Sequence, residues 1–209
     1  GFAYDGDADR CLVVDEKGDV LTGDHIMYAY ACYMQDRGKL VDKPVVATVM
    51  SNLGLNLAMQ REGIEMIHTQ VGDRYVLEEM RAHGYVLGGE QSGHIILKKY
   101  ATTGDGLLTA IMITEEICDR KTTLSKLAEP VFLYPQFTQN VRVKDKKAIM
   151  TNNEVLQAVK DVEEKIGGKG RVLLRESGTE PVIRVMIECE DEQKCREYAA
   201  EIADKIMCN

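Results

Sequence analysis

The period of the apolar positions changes repeatedly along the chain, and each change marks an element. Cys11-Leu12-Val13-Val14 is a short β-rich run, Glu16-Lys17-Gly18-Asp19 turns, and Val20-Leu21 returns, which predicts a hairpin. Ile26, Met27, Tyr30, Ala31 and Met34 recur at helical spacing and predict a helix over 24–37, capped by Asp24 and stopped by Gly38. The run at 45–49 has the near-continuous apolar character of a buried parallel strand. A Ser51-Asn52-Leu53-Gly54 loop leads to a short helix over 55–62 and a strand at 65–69. Asp73 is the expected cap of a helix that turns Val76, Leu77 and Met80 inward. Strands follow at 85–87 and 94–97, then a helix over 104–120 with Leu107, Leu108, Ile111, Met112 and Ile117 inside. Strands alternating with helices predict an α/β layer on a mostly parallel sheet.

Pro130 and Pro135 interrupt the periodicity, so 128–136 reads as a linker. Beyond it the pattern predicts a strand at 138–143, a helix over 153–166, strands at 171–174 and 182–187, and a helix over 192–207. That order describes a small α+β domain with its helices on one face. The expected division is a leading segment 1–21, a domain at 22–130 and a second at 131–209. The 209 residues, 44% of them hydrophobic, are enough for two small cores.

Charge narrows the partners. The formal net charge is −8. Up to residue 130 there are 20 acidic and 13 basic residues; after it, 14 and 13. Such a balance argues against nucleic acid or an anionic membrane as partner. An anionic ligand needs a local arginine cluster or a metal. No apolar run reaches the ~20 residues of a membrane span, and Gly1-Phe2-Ala3-Tyr4-Asp5 lacks the basic start and apolar core of a signal peptide. The six cysteines form no Cys-x-x-Cys pair, so reduced thiols in a cytoplasmic protein are expected, not a disulfide or zinc framework.

Three constellations carry chemistry. Asp5-Gly6-Asp7-Ala8-Asp9-Arg10 sets three carboxylates at alternate positions of a tight loop, where they can converge on a hard cation such as Mg2+ or Ca2+. The bland alternative is a solvated acidic turn. An EF-hand is rejected: Asp5, Asp7, Asp9 and Glu16 fall at its ligand positions, but Arg10 stands where its turn glycine belongs. Gly88-Gly89-Glu90-Gln91-Ser92-Gly93-His94 allows close backbone approach to a ligand, and Glu90 and Ser92 can accept from and donate to sugar hydroxyls. His94 is as compatible with a buried structural role as with a catalytic one. Arg175-Glu176-Ser177-Gly178-Thr179-Glu180-Pro181, with Arg184, forms a plausible phosphate cradle. Weaker signals are Met50-Ser51-Asn52 at the end of a parallel strand, Gly72-Asp73-Arg74 at a helix start, and Thr102-Thr103-Gly104-Asp105-Gly106 at a helix entry.

In this order the stretches resemble the α-D-phosphohexomutase family, and most specifically its phosphoglucosamine mutase branch. Thr48-Val49-Met50-Ser51-Asn52, Val71-Gly72-Asp73-Arg74-Tyr75-Val76 and Thr102-Thr103-Gly104-Asp105-Gly106 carry the branch assignment. The resemblance implies a C-terminal piece of a four-domain enzyme: the tail of domain 2, then domain 3, then a domain 4 of the TATA-box-binding-protein-like kind. The implied activity is Mg2+-dependent interconversion of glucosamine 6-phosphate and glucosamine 1-phosphate through a phosphoserine. That step feeds UDP-N-acetylglucosamine synthesis. No stretch here matches the phosphoserine loop, so the chain alone is expected to be inactive and to need the N-terminal domains of the same protein. By resemblance Asp5, Asp7 and Asp9 are the metal ligands. Arg10, Asp73, Arg74 and His94 belong to the catalytic set, and Glu90 and Ser92 contact the sugar. Arg175, Ser177, Gly178, Thr179 and Arg184 hold the phosphate that is not being transferred. The alternatives are a phosphoglucomutase/phosphomannomutase piece and a non-catalytic phosphosugar-binding module. Two departures stand out. Ala8 replaces a usual glycine, where a positive φ is costly, and Glu176 must point away from any bound phosphate.

Overall fold

The computed structural model describes residues 1–40 and 43–208 and separates into two units, Gly1–Leu133 and Tyr134–Asn209. The first unit opens with a small antiparallel sheet of β1 (Phe2–Tyr4), β2 (Cys11–Val14) and β3 (Val20–Leu21). Then follow α1 (Gly23–Asp36), β4 (Val45–Thr48), α2 (Leu53–Arg61), β5 (Met66–Thr69), α3 (Asp73–His83), β6 (Leu87–Gly89), β7 (Ile95–Leu97), α4 (Gly106–Arg120) and α5 (Leu124–Ala128). The main sheet runs β5-β4-β6-β7, with β4 parallel to both neighbours and β7 antiparallel to β6. Both faces of β4 are covered, which is why its sequence shows no alternation. Val46 packs with Val76 and Met80 of α3, while Val45 and Ala47 join the larger core built with α1, α2 and α4.

Several local expectations are corrected. Thr22, not Asp24, caps α1, through a reciprocal box with His25. Asp24 lies inside the helix, fully buried, and accepts from the Asn52 amide at 2.8 Å. Gly72, not Asp73, is the N-cap of α3. The third strand sits two residues later than 85–87. Its glycines disguise it: a Cβ on Gly88 would press on Met80 Sδ, Val76 Cγ1 and Val46 O, so α3 approaches the sheet only because none is there. Leu107 and Ile111 of α4 are 61% and 55% exposed, not inside. Met112 is inside as expected, and Thr109, Ala110 and Ile113 join it on the inner face. The five-residue α5 lies at the start of the expected linker.

The second unit contains β8 (Gln136–Arg142), α6 (Lys146–Met150), α7 (Asn153–Ile166), β9 (Gly170–Glu176), β10 (Val182–Cys189) and α8 (Glu192–Met207). The short α6 is unforeseen by the apolar pattern. The sheet is antiparallel, ordered β8-β10-β9. Ile183, Val185 and Ile187 of the central strand pack with Val155 and Val162 of α7 and Ile202 and Ile206 of α8. Strand alternation therefore sends Arg184 to the opposite face. All six cysteines are free thiols. Among the described residues no helix is long and apolar enough to cross a membrane.

One buried charge sets a pH dependence. Glu116 of α4 has no exposed surface, and desolvation pushes its carboxyl up to about 7, against relief from Arg120, whose Nε lies 3.0 Å away. The folded state thus keeps a proton that the unfolded chain releases near pH 4.5. The stability this contributes is complete below about pH 4.5 and is lost as the pH rises through 7, on the order of 3 kcal/mol in all. Urea midpoints of the wild type should fall between pH 5 and pH 8, and those of Glu116→Gln should stay nearly level. An equal fall in both proteins excludes Glu116 as the cause.

Candidate functional site

In the first unit four loops are bonded into one assembly. The carboxylate loop between β1 and β2 turns through an Ala8 amide to Asp5 carbonyl bond of 3.3 Å, and the Arg10 amide donates to Asp5 Oδ1 at 3.3 Å. Ala8 takes a φ of +58°, the left-handed conformation that its side chain disfavours. Its carbonyl accepts from Gly106 at the start of α4, at 2.9 Å. The Cys11 amide donates to the Gly93 carbonyl at 3.1 Å and ties this loop to the 90–94 turn between β6 and β7. Gly93, with φ +91°, faces the Cys11 backbone so closely that no Cβ fits.

Asp5, Asp7 and Asp9 each offer a carboxylate oxygen within 4.8 Å of the others. An all-oxygen, triply anionic set fits a hard divalent cation, whose ligands lie at about 2.0–2.6 Å. Asp9 supports the fit further: its Oδ1 is buried and accepts no hydrogen bond. Burial first, and then repulsion from Asp7 and Asp5, raises the Asp9 carboxyl above its ordinary range, while His94 opposes the rise. Arg10 Nε lies 3.6 Å from Asp5 and 3.9 Å from Asp9, so a guanidinium already sits among the carboxylates.

His94 is 1% exposed. Its Nε2 accepts from the Gly104 amide at 3.1 Å, and lies 3.4 Å from Asp9 and 3.8 Å from Asp73. A Cβ on Gly104 would collide with the imidazole, so glycine permits this contact. Asp73 and Arg74 are exposed at the start of α3, and Arg74 pairs with Glu78 at 2.8 Å. Glu90 accepts from the Gly72 amide at 3.2 Å and so joins the sugar loop to the α3 entry, a link that the sequence pattern did not reveal. Ser92 Oγ is buried and makes no hydrogen bond. The Met50-Ser51-Asn52 stretch takes a different part: Asn52 caps α2 through the Gly54 amide at 2.9 Å and is pinned to Asp24.

In the second unit Arg175 and Arg184 are direct cross-strand partners. Like charges in that position repel, and the Arg175 guanidinium is lowered by burial and by Arg184. The Nε atoms of both are buried and make no hydrogen bond. Arg184 donates to Glu180 at 3.1 Å and lies 3.5 Å from Ser177 Oγ. Ser177 is buried, whereas Gly178 and Thr179 are exposed on the turn. Glu176 pairs with Ile183, on the strand face opposite Arg175 and Arg184, so its carboxylate points away from them. Converging cationic donors of this kind suit a phosphate.

The chain is similar to known proteins over nearly its whole length. Residues 22–134 match the family model of phosphoglucomutase/phosphomannomutase α/β/α domain III, and residues 139–205 match the C-terminal domain of the same family. A phosphoglucosamine mutase of Lachnospira eligens is 55% identical over 206 residues, and one of Geobacillus kaustophilus 50%. Each alignment takes in 99% of this chain and 46% of the relative, so the chain spans about half the length of the curated relatives it matches. The fold also resembles an Aspergillus fumigatus N-acetylphosphoglucosamine mutase solved with GlcNAc-6P and magnesium. The TM-score is 0.78 at 19% identity, over 98% of this chain and 51% of that one.

The burial of His94 generates a test. His94→Ala leaves a cavity and an unpaired Gly104 amide, and should cost about 2–3 kcal/mol of stability in urea denaturation. Asp73→Ala, at an exposed carboxylate, should change it by no more than about 0.5 kcal/mol. Equal effects contradict the bracing role of His94.

Proposed function

The chain belongs to the phosphoglucomutase/phosphomannomutase family, and on that premise we propose that it is the metal-, sugar- and phosphate-gripping half of a phosphoglucosamine mutase. The reaction is the interconversion of glucosamine 6-phosphate and glucosamine 1-phosphate. The observation that carries the reading is the joining of the carboxylate loop to the 90–94 turn by the Cys11–Gly93 bond, in a chain 55% identical to a phosphoglucosamine mutase. In this reading the phosphoryl carrier, a phosphoserine, lies in the part of the relatives' length that this chain does not span.

Asp5, Asp7 and Asp9 are the residues that would hold Mg2+, which when bound supplies positive charge beside the transferring phosphoryl group. Arg10 adds a guanidinium at the same place. Glu90 and Ser92 orient the sugar through its hydroxyls. Arg175, Ser177, Gly178, Thr179 and Arg184 grip the distal phosphate, which converts binding energy into alignment of the reacting end. Asp73 and Arg74 stand on the exposed rim at the start of α3, with the Asp73 carboxylate 3.8 Å from His94. His94 is the positioning residue that fixes the α4 entry through the Gly104 amide, beside the Gly106–Ala8 bond that ties that entry to the carboxylate loop.

NMR titration of the chain with glucosamine 6-phosphate should shift residues 175–184. Arg184→Ala removes a charge-assisted bond of about 1.5–3 kcal/mol and should weaken binding about tenfold or more, beyond the effect of Ser177→Ala. Shifts confined to 88–94 contradict the phosphate assignment. Calorimetry should find weak Mg2+ binding that Asp7→Ala abolishes; tight binding means the three carboxylates suffice alone. Comparing glucosamine, glucose and mannose phosphates separates this branch from the rest of the family.

A further inference from the structure

We propose that Lys146 is a positioning residue for the phosphate loop, acting through a peptide plane and not by touching the anion. The proposal rests on the phosphate-gripping role given above to Arg175 and Arg184. Lys146 opens α6, whose first turn is fixed by Asp145 accepting from the Ala148 amide at 3.1 Å. The preceding strand end is held to the loop by the Val143 amide on the Pro181 carbonyl at 3.0 Å. From this anchored place the Lys146 ammonium donates to the Ser177 carbonyl at 2.7 Å and reaches the Glu180 carbonyl at 3.5 Å. Lys146 shares a shallow concavity with Glu176 and Pro181. Because Glu176 lies on the strand face opposite Arg175 and Arg184, the ammonium grips the loop from the side away from both guanidinium groups.

The consequence follows from the geometry of a trans peptide. The Ser177 carbonyl and the Gly178 N–H belong to one plane and point in opposite directions. A carbonyl drawn to Lys146 turns the Gly178 N–H toward the arginine side. That amide has no acceptor among the described residues, so it is free to meet an anion there. Glycine at 178 makes the plane easy to rotate, since both backbone orientations are open to it. Without the ammonium the plane can flip and present the Ser177 carbonyl to the anion, exchanging an attraction for a repulsion. Lys146 thus selects the loop state that binds.

The test is an NMR titration of the full chain with inorganic phosphate, comparing wild type, Lys146→Met and Lys146→Arg. Wild type should show a downfield move of the Gly178 amide with a response of the Arg184 Nε–H. Lys146→Met should bind about tenfold more weakly, the scale of one hydrogen bond to a charged group. Its Gly178 response should shrink while the Arg184 response persists. Lys146→Arg, which keeps charge and donors, should recover most of the loss. Wild-type affinity in Lys146→Met overturns the proposal and leaves the phosphate site standing. Weaker binding with an unchanged Gly178 response also overturns it, because the charge then acts only at a distance. So does an equal loss in Lys146→Arg and Lys146→Met. An absence of any wild-type shift at 175–184 defeats the phosphate site itself.

Discussion

Like charges held side by side are the constraint on which both units depend. Three carboxylates share one six-residue turn in the first unit, and two guanidinium groups face each other across a strand pair in the second. Neither arrangement is favourable in an empty site, because repulsion is strongest where water is partly excluded. Burial is the main cause of the raised Asp9 carboxyl and the lowered Arg175 guanidinium, and the neighbouring like charges add to both shifts. Backbone must therefore hold what the side chains resist. The Cys11–Gly93 and Ala8–Gly106 bonds do so for the carboxylates, and the paired strands β9 and β10 do so for the arginines.

The elements around the sites are correspondingly close-packed. Gly93 and Gly104 are positions where another backbone or ring occupies the space of a side chain, which draws the turn and the α4 entry against the carboxylate loop. In the second unit the helices cover one sheet face, and their core residues on β10 alternate with Arg184. The same alternation that buries Ile183 and Val185 fixes the direction of the guanidinium. Partial internal counter-charges, Arg10 beside the carboxylates and Glu180 on Arg184, limit the repulsion without removing it.

Much of this was legible in the sequence because it is encoded locally. Period-two and period-3.6 runs located nearly every core element, and alternate carboxylates or an arginine-flanked turn can be read from spacing alone. What escaped depends on tertiary contact. Gly88 and Gly89 look like a loop, yet they complete a strand in which α3 leaves no room for a side chain at Gly88, and His94, Ile95 and Met27 leave none at Gly89. Leu107 and Ile111 fit the helical stripe but face outward, since the covered face of α4 is centred on Thr109, Ala110 and Ile113. Asp24 has the look of a cap, but its partner is the Asn52 amide, 28 residues away. The Glu90–Gly72 and Lys146–Ser177 links join segments whose separation in sequence carries no pattern.

The most direct measurement of the central claim is the unfolding midpoint of Arg175→Met against wild type, with and without saturating phosphate. Methionine keeps most of the volume and removes one of the two facing charges. In phosphate-free buffer the variant should be the more stable protein, and phosphate should raise the wild-type midpoint while leaving the variant nearly unmoved. A variant less stable than wild type in phosphate-free buffer, or one that phosphate stabilises as strongly, would contradict the account.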